Sequence, residues 1–456
     1  MKLEKHILVL TPDGTGIKNY LYADVFKNTD ARISLYHNFD ADTLSHIETN
    51  VSLHEKVILP EYKERIREKF LREVIHTARI KFNAKQEKNP TILTFRKTRH
   101  KSLKLKVFYA AVSFAAYWFK RYKAIERLED KYSNSLVKNP FYNQVNNQLS
   151  QLQPDVIFCT HQRAVKAATV FKAANDLGIE TTTVIYSWDN LPKARLALRA
   201  DKYFVWSEFM KDELVRFYPE IPFTSIHVTG TPQFEFYFNK ENIIDRAEFY
   251  KENGLDLEKK IICFSGDDVL TSPHDPYYLN DLAEGITKAG MDNYCQIAFR
   301  RCPVDLTGRY DWVVQKYSDL IIEMPPLWNF NSKVWTAVYP QVADIKLLVS
   351  LAYYSDLVIN VGSTMAFDFG MFQKPCVYIN YDHVEDSNWS VNTIYNYQHF
   401  RSMPSKKAVY WWNKREEIAT VINYALEEPH TEIDSWFQIV VNHPEAASHN
   451  LKNQLL

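Results

Sequence analysis

The sequence predicts an α/β protein made of two doubly wound parallel-sheet domains that face a central cleft. Three observations support this prediction. The chain has 456 residues, more than one hydrophobic core usually supports, so two domains of about 200 residues each are expected. Its composition, 46% hydrophobic and 24% charged, is that of an ordinary globular protein. Short apolar runs rich in Val, Ile and Phe alternate with longer helical patterns, which is typical of parallel βαβ units.

Two successive series of apolar runs predict the strands of the two sheets. The first series lies at residues 6–11, 33–37, 155–160, 181–187, 202–207 and 225–230. The second series lies at residues 259–266, 295–301, 320–324, 357–362 and 375–380. Because the series break near 235–258, we expect an N-terminal domain over 1–240 and a C-terminal domain over 241–430. The last segment, 431–456, is expected to form a helix that crosses back to the N-terminal domain.

A basic insertion interrupts the N-terminal domain at about 61–135. It holds 20 Lys and Arg against 8 Asp and Glu, although the formal net charge of the whole chain is zero. An apolar run at 107–119 lies between the basic segments 96–106 and 120–123. This run is too short to span a bilayer but suits a helix lying on its surface. We therefore expect 96–123 to contact an anionic membrane surface, with a buried helix or a dimer contact as the alternative.

The cysteines and the first residues predict the compartment. The five cysteines are odd in number and lack the short paired spacing of zinc or redox motifs, which favours a reducing cytoplasm. The apolar run at the start of the chain is too short for the core of a signal peptide. We expect a cytoplasmic protein, peripheral on the inner face of the cytoplasmic membrane, without a cofactor, a required metal or a nucleic-acid partner.

Loops of the predicted C-terminal domain offer a site for a diphosphate. In open parallel sheets, ligands bind beyond the carboxyl ends of the strands. There, Gly362, Ser363 and Thr364 begin a helix whose free N–H groups suit a diphosphate. Asp368 follows one turn later and could reach a ribose hydroxyl. The alternative is that Ser363 or Thr364 merely caps the helix.

Two further loops of this domain could also contact a diphosphate. Ser265 and Gly266 end a predicted strand in a small turn where a backbone could approach phosphate. Arg300 and Arg301 end the next strand, where a fixed positive charge would neutralise a leaving diphosphate. Strand alternation predicts that the two arginines point in opposite directions. The alternative is an arginine pair on the surface.

The predicted N-terminal domain offers acceptor contacts and three alternative bases. Gly14, Thr15 and Gly16 follow the first strand, and their loop would permit close approach of an acceptor or sugar. His161 follows a strand end, where its near-neutral pKa would suit a general base on an acceptor hydroxyl. A structural histidine in the cleft is the alternative. Asp13 and Asp189 are the rival bases.

Residues 184–237 resemble a family of GT-B glycosyltransferases found in bacterial capsule and O-antigen gene clusters. The matching motifs are Ser-Trp-Asp-Asn at 187–190, Lys193, Val-Trp-Ser-Glu at 205–208 and Thr-Gly-Thr-Pro-Gln-Phe at 229–234. The chain departs from the family at Glu235 and at 192–195. The resemblance extends over roughly 150–385. It implies the GT-B fold, two Rossmann-like domains, with Trp188, Asn190 and Lys193 on the acceptor side.

This resemblance implies a hexosyl- or related transferase. The donor would be a nucleotide sugar, and the acceptor a saccharide or lipid-linked saccharide in capsule, O-antigen or lipopolysaccharide biosynthesis. In an inverting reaction, His161 or Asp13 would deprotonate the acceptor; a retaining reaction would not need such a base. The alternatives on the same architecture are a non-hydrolysing sugar-nucleotide epimerase and a polyol-phosphate polymerase. A non-catalytic GT-B-like scaffold subunit is the alternative of another class.

Overall fold

Two parallel sheets organise the chain in the computed structural model, which describes residues 4–96, 102–329, 338–386 and 389–456. The first sheet contains β1 (His6–Leu10), β2 (Arg32–His37), β3 (Glu55–Ile58), β4 (Val156–Cys159), β5 (Glu180–Val184), β6 (Lys202–Val205) and β7 (Ile226–Val228). All seven strands run parallel in the order β3-β2-β1-β4-β5-β6-β7. The order reverses direction between β1 and β4, and such a switch point is where open sheets bind ligands.

The second sheet repeats this arrangement. The strands of the C-terminal half are β8 (Lys260–Ser265), β9 (Cys295–Arg300), β10 (Ile321–Glu323), β11 (Trp328–Asn329), β12 (Tyr339–Pro340), β13 (Leu357–Asn360), β14 (Cys376–Ile379) and β15 (Tyr410–Trp412). Six of them form a parallel sheet in the order β10-β9-β8-β13-β14-β15, while β11 and β12 form a separate antiparallel pair. The switch point of this sheet lies between β8 and β13.

Helices cover both sheets. Those of the N-terminal half are α1 (Ala41–Glu48), α2 (Ile66–Gln86), α3 (Leu103–Tyr117), α4 (Tyr122–Leu136), α5 (Pro140–Leu152), α6 (Val165–Asp176) and α7 (Glu208–Phe217). Those that follow are α8 (Arg246–Asn253), α9 (Asp275–Lys288), α10 (Asp311–Lys316), α11 (Val342–Tyr354), α12 (Met365–Gly370), α13 (Val391–Tyr395), α14 (Ile418–Glu427), α15 (Ile433–Val440) and α16 (Ala447–Leu455). The predicted class, two doubly wound parallel-sheet domains, is confirmed.

Every strand predicted from the sequence has a counterpart in the structure, but the prediction was incomplete. It missed β3 and β15, which are edge strands of the two sheets, and the short antiparallel pair β11 and β12. The side chains of β3 are mostly exposed, so its sequence lacks the continuous apolar run of a buried parallel strand. The fourth strand, β4, is buried throughout, as the prediction requires.

The last helix, α16, packs on the N-terminal half of the chain. The backbone N–H of Ser448 donates to Glu235 at 2.6 Å, and the side-chain amide of Asn450 donates to the carbonyl of Thr229 at 3.3 Å. Glu235, where the chain departs from the family motif, thus anchors this helix. The domain boundary near residue 240 stays a prediction.

Candidate active site

The switch point of the first sheet brings together two residues that the sequence offered as rival bases. Asp13 follows β1, and His161 follows the adjacent β4. The Nδ1 atom of His161 lies 2.6 Å from Oδ2 of Asp13, and their side chains are 18% and 8% exposed. No described residue is hydrogen-bonded to Nε2 of His161. An aspartate that holds a histidine through Nδ1 leaves Nε2 oriented for proton transfer.

The glycines of the first loop are required by protein packing. A Cβ atom on Gly14 would lie 2.0 Å from the carbonyl oxygen of Val338, which belongs to the C-terminal half. A Cβ atom on Gly16 would lie 2.4 Å from the hydroxyl of Thr160. The close approach that the sequence predicted is thus made by protein atoms. The side chain of Thr15 lies outside the described residues.

Asp189, the third candidate base, lies in a polar network. Its carboxylate accepts hydrogen bonds from the Lys193 ammonium and, at 2.7 Å, from the Asn190 amide. Burial alone would raise the pKa of Asp189, but the charge of Lys193, with a smaller contribution from His399, holds it well below its usual range. The amide of Gln162, next to His161, in turn donates to Asn190 at 3.0 Å. An ionised carboxylate paired with lysine supports the loop and is a weaker base than a free one.

Trp188 lies in an aromatic cluster between the two halves of the chain. It is only 3% exposed, and its ring packs edge-on against four others. These rings are Phe367, His399, Phe400 and Trp436, with centroids 4.6–5.8 Å away. Trp188 therefore stabilises the contact between the halves, whereas the resemblance implied an acceptor contact.

Arg300 is fixed at the end of β9 by a buried ion pair. Its Nη2 atom donates to both carboxylate oxygens of Asp344, at 2.8 and 3.0 Å. Asp344 also accepts from the backbone of Leu327 and from Nε1 of Trp328. The Nη1 atom of Arg300 is buried without a partner among the described residues, so its N–H donors remain for a ligand. Arg301 points away, as strand alternation predicts, and pairs with Glu323.

A second buried contact joins the two halves beside this pair. The hydroxyl of Tyr237 donates to Oδ1 of Asp368 at 2.7 Å. Burial raises the pKa of Asp368, and the nearby charges of Lys18 and Arg300 oppose that rise. Burial also disfavours the charged form of Lys18, which follows the first loop of the N-terminal half, and so lowers its pKa. Charged groups from both halves therefore converge between the two switch points.

The structure thus adds Lys18, Tyr237 and Asp344 to the residues predicted from the sequence. Asp344 had a visible signal, because it is the one acidic residue in the mostly apolar helix α11. Lys18 and Tyr237 had none beyond lying close to predicted motifs, since their partners come from the other half of the chain.

The predicted diphosphate loops follow adjacent strands, β8 and β13. Gly362 has a left-handed backbone, φ = +67°, and the N–H of Ser363 donates to the side chain of Asn360 at 2.8 Å. The Ser363 hydroxyl accepts from Met365, so it makes a local cap contact, whereas the Thr364 side chain makes none.

The neighbouring turn holds the other two predicted donor residues. Ser265 ends β8, and its side chain is buried. The N–H of Gly266 donates to the carbonyl of Arg300 at 2.9 Å, which fixes the turn beside β9. Across the residues that the structure describes, no group of three or more His, Cys, Asp or Glu side chains could hold a metal ion.

The helix α3 exposes an unusual amount of apolar surface. Leu103, Val107, Phe114 and Trp118 are 62–77% exposed and recur at helical spacing, whereas Val112 on another face is buried. The flanking cations, Lys104, Lys106, Lys120, Arg121 and Lys123, are exposed as well. Of the predicted membrane segment, 97–101 lie outside the described residues. No helix in the described parts of the chain is both long and apolar enough to cross a membrane.

One family model and several solved structures are similar to this chain. The family described as monogalactosyldiacylglycerol (MGDG) synthase matches residues 73–232, which lie in the N-terminal half. A UDP-GlcNAc 2-epimerase from Neisseria meningitidis, solved with UDP-GlcNAc bound, is 10% identical, with a TM-score of 0.52 and 99% of each chain covered. No curated protein sequence matches significantly.

Two further structures extend this comparison. The UDP-GlcNAc 2-epimerase of Methanocaldococcus jannaschii is 12% identical, with a TM-score of 0.53 and 99% of each chain covered. A glycosyltransferase from Rickettsia africae is 9% identical, with a TM-score of 0.50, covering 99% of this chain and 94% of its own. At these identities the similarity shows the fold alone, and that fold is GT-B.

Proposed function

We propose that this protein is a glycosyltransferase that moves a sugar from a nucleotide-sugar donor to a saccharide or lipid-linked saccharide acceptor. The observation that carries the proposal is the Asp13–His161 pair at one switch point, with Lys18 of the same segment reaching the charges of the other half. A base and a cationic diphosphate site on opposite sides of one cleft are what an inverting sugar transfer requires. The Ser-Trp-Asp-Asn motif at 187–190 supports a role in bacterial surface-polysaccharide biosynthesis.

The donor would bind on the C-terminal half. Its diphosphate would lie against the loops at 265–266 and 362–364, and its ribose near Asp368. Arg300, held by Asp344, would donate Nη1 to a phosphate oxygen as negative charge develops on the leaving group. Because the arginine is already fixed, little reorganisation would accompany the reaction.

The N-terminal half would hold the acceptor and the base. The Nε2 atom of His161 would take the proton of the acceptor hydroxyl as its oxygen attacks the anomeric carbon. The bond from that carbon to the phosphate oxygen would break, and its electron pair would leave with the nucleoside diphosphate. Asp13 would stabilise the resulting imidazolium through Nδ1. This arrangement supports an inverting displacement.

The exposed face of α3 would dock on an anionic membrane surface. Its apolar side chains would enter the interface between headgroups and acyl chains, and the flanking lysines and arginine would pair with lipid phosphates. Such docking would bring the N-terminal half to a lipid-linked acceptor.

The test is incubation with a panel of nucleotide sugars, with and without a bacterial membrane extract that contains lipid-linked saccharides. A transferase releases nucleoside diphosphate only when an acceptor is present and labels the lipid fraction with sugar. An epimerase, the activity of two of the similar structures, would convert the nucleotide sugar with no acceptor. Binding of a nucleotide sugar with neither product would support the scaffold and contradict the proposal.

A further inference from the structure

A separate cavity of about 120 Å³ lies within the N-terminal half and is lined by residues of that half alone. The helices α2, α4 and α6 and the loop 194–199 enclose it. Its volume is close to that of an engineered protein cavity of roughly 150 Å³ that holds benzene. It would therefore accommodate a phosphate group with a few carbon atoms rather than a complete nucleotide sugar.

One group of charges at this cavity is neutralised by protein carboxylates. Arg79 pairs with Glu129 at 2.7 Å, and Arg199 pairs with Glu129 and Glu220 at 2.5 and 2.6 Å. Two arginines thus share two carboxylates. This group has no positive charge left for a ligand.

A second group, about 10 Å along α2 from the first, has an excess of positive charge. Arg72 pairs with Glu64 and, at 2.9 Å, with Glu73. Arg195 reaches Glu73 only at 3.5 Å. Arg163 lines the cavity but makes no ion pair or hydrogen bond with a described residue. Arg72 and Arg195 therefore share two carboxylates, and the charge of Arg163 is uncompensated.

The remaining wall is largely apolar. Ile75, Leu136, Ala168 and Phe171 line it. The hydroxyl of Tyr132, which also lines the cavity and is only 4% exposed, has no partner among the described residues. An unpaired buried hydroxyl is unfavourable, and a ligand oxygen or a water molecule would satisfy it.

We infer that this cavity binds an organic phosphate with a short apolar part, the phosphate lying on Arg163 and Arg195 and the apolar part against α4 and α6. Guanidinium groups bind phosphate through paired N–H donors, and the adjoining wall adds apolar contact area. None of the residues assigned to sugar transfer lines this cavity, so the inference does not depend on that function.

The test is isothermal titration of the full chain with hexyl phosphate, inorganic phosphate and hexanol. Hexyl phosphate should bind at least about tenfold more tightly than inorganic phosphate, the gain expected from two buried methylene groups. Arg163→Gln should weaken hexyl phosphate binding roughly ten- to hundred-fold, because a charge-assisted hydrogen bond is lost. The matched control is Arg67→Gln, since Arg67 lies on the exposed face of α2.

Ala168→Leu narrows the cavity without changing its charge. It should therefore weaken the binding of hexyl phosphate more than the binding of inorganic phosphate. Thermal unfolding of each variant checks that it is folded. If Arg163→Gln does not fold, Arg195→Gln is measured in its place. The inference is overturned if folded wild-type protein does not bind hexyl phosphate. It is also overturned if both phosphates bind equally, or if the Arg163 and Arg67 variants behave alike.

Discussion

Replacing Asp13 by Asn tests whether the Asp13–His161 pair acts in catalysis. Asparagine keeps the size of the side chain and removes its charge. The side chain can still pack beside Nδ1 of His161, but the negative charge at that position is lost. The reaction creates a positive imidazolium, which the carboxylate stabilises more than it stabilises neutral histidine. Asp13 is a positioning residue, and its loss should lower the rate constant more than the affinity for donor.

The magnitude follows from the geometry of the pair. The two atoms are 2.6 Å apart, so the charge centres lie about 4 Å apart, and at an effective dielectric constant of about 20 their interaction is about 4 kcal/mol. Solvent screening reduces this value, because the His161 side chain is 18% exposed. A loss of roughly 2–4 kcal/mol lowers kcat/KM by roughly 30- to 1000-fold.

The assay is the initial rate of acceptor-dependent nucleoside diphosphate release over a range of pH. Nucleotide affinity and thermal unfolding, measured on the same preparation, serve as controls. Folded Asp13→Asn protein with a rate within about fivefold of wild type would refute the assigned role. An equal loss of nucleotide affinity would also refute it, because Asp13 belongs to the proposed acceptor side.

Three further predictions concern other parts of the molecule. Arg300→Gln should weaken nucleoside diphosphate binding, measured by isothermal titration, by at least about tenfold. Arg301→Gln should leave this affinity unchanged, because Arg301 points away from the site and pairs with Glu323. Phe114→Ser should lower co-sedimentation with anionic vesicles about tenfold, whereas Tyr424→Ser, at an exposed aromatic residue of α14, should not. Burial raises the pKa of Glu213 to about 8, so its contribution to stability should decrease as pH rises from about 4 to 8. Glu213→Gln should therefore raise the free energy of unfolding in urea at pH 8 but not at pH 4. An equal change in the free energy of unfolding at both pH values would contradict the raised pKa of Glu213.

The sheets could be predicted from the sequence because buried parallel strands are continuous apolar runs. The strand β3 does not follow this rule, since Glu55 and Lys56 lie on an exposed edge where partners come only from β2. Local patterning contains no information about such an edge. Pairing with a neighbour that is distant in sequence determines it.

The candidate site was predictable in its parts but not in its pairings. Asp13 and His161 could each be located at a strand end, yet their contact depends on the order of the strands, which places β4 beside β1. Trp188 shows the opposite case, because its motif suggested a ligand contact and the packing of the two halves buries it. Lys18 could not be located because its electrostatic partners belong to the other half.

Thermal unfolding with a panel of nucleoside diphosphates and nucleotide sugars tests whether the C-terminal half holds a nucleotide-sugar site. A ligand at 100 times its Kd stabilises the folded state by about 2.7 kcal/mol, which raises Tm measurably. We predict that nucleotides of one base raise Tm, that Asp13→Asn retains this increase, and that Arg300→Gln reduces it relative to its own unliganded Tm. No increase in the Tm of folded wild-type protein would contradict a nucleotide-sugar site on the C-terminal half. Loss of the increase in Asp13→Asn but not in Arg300→Gln would contradict it as well.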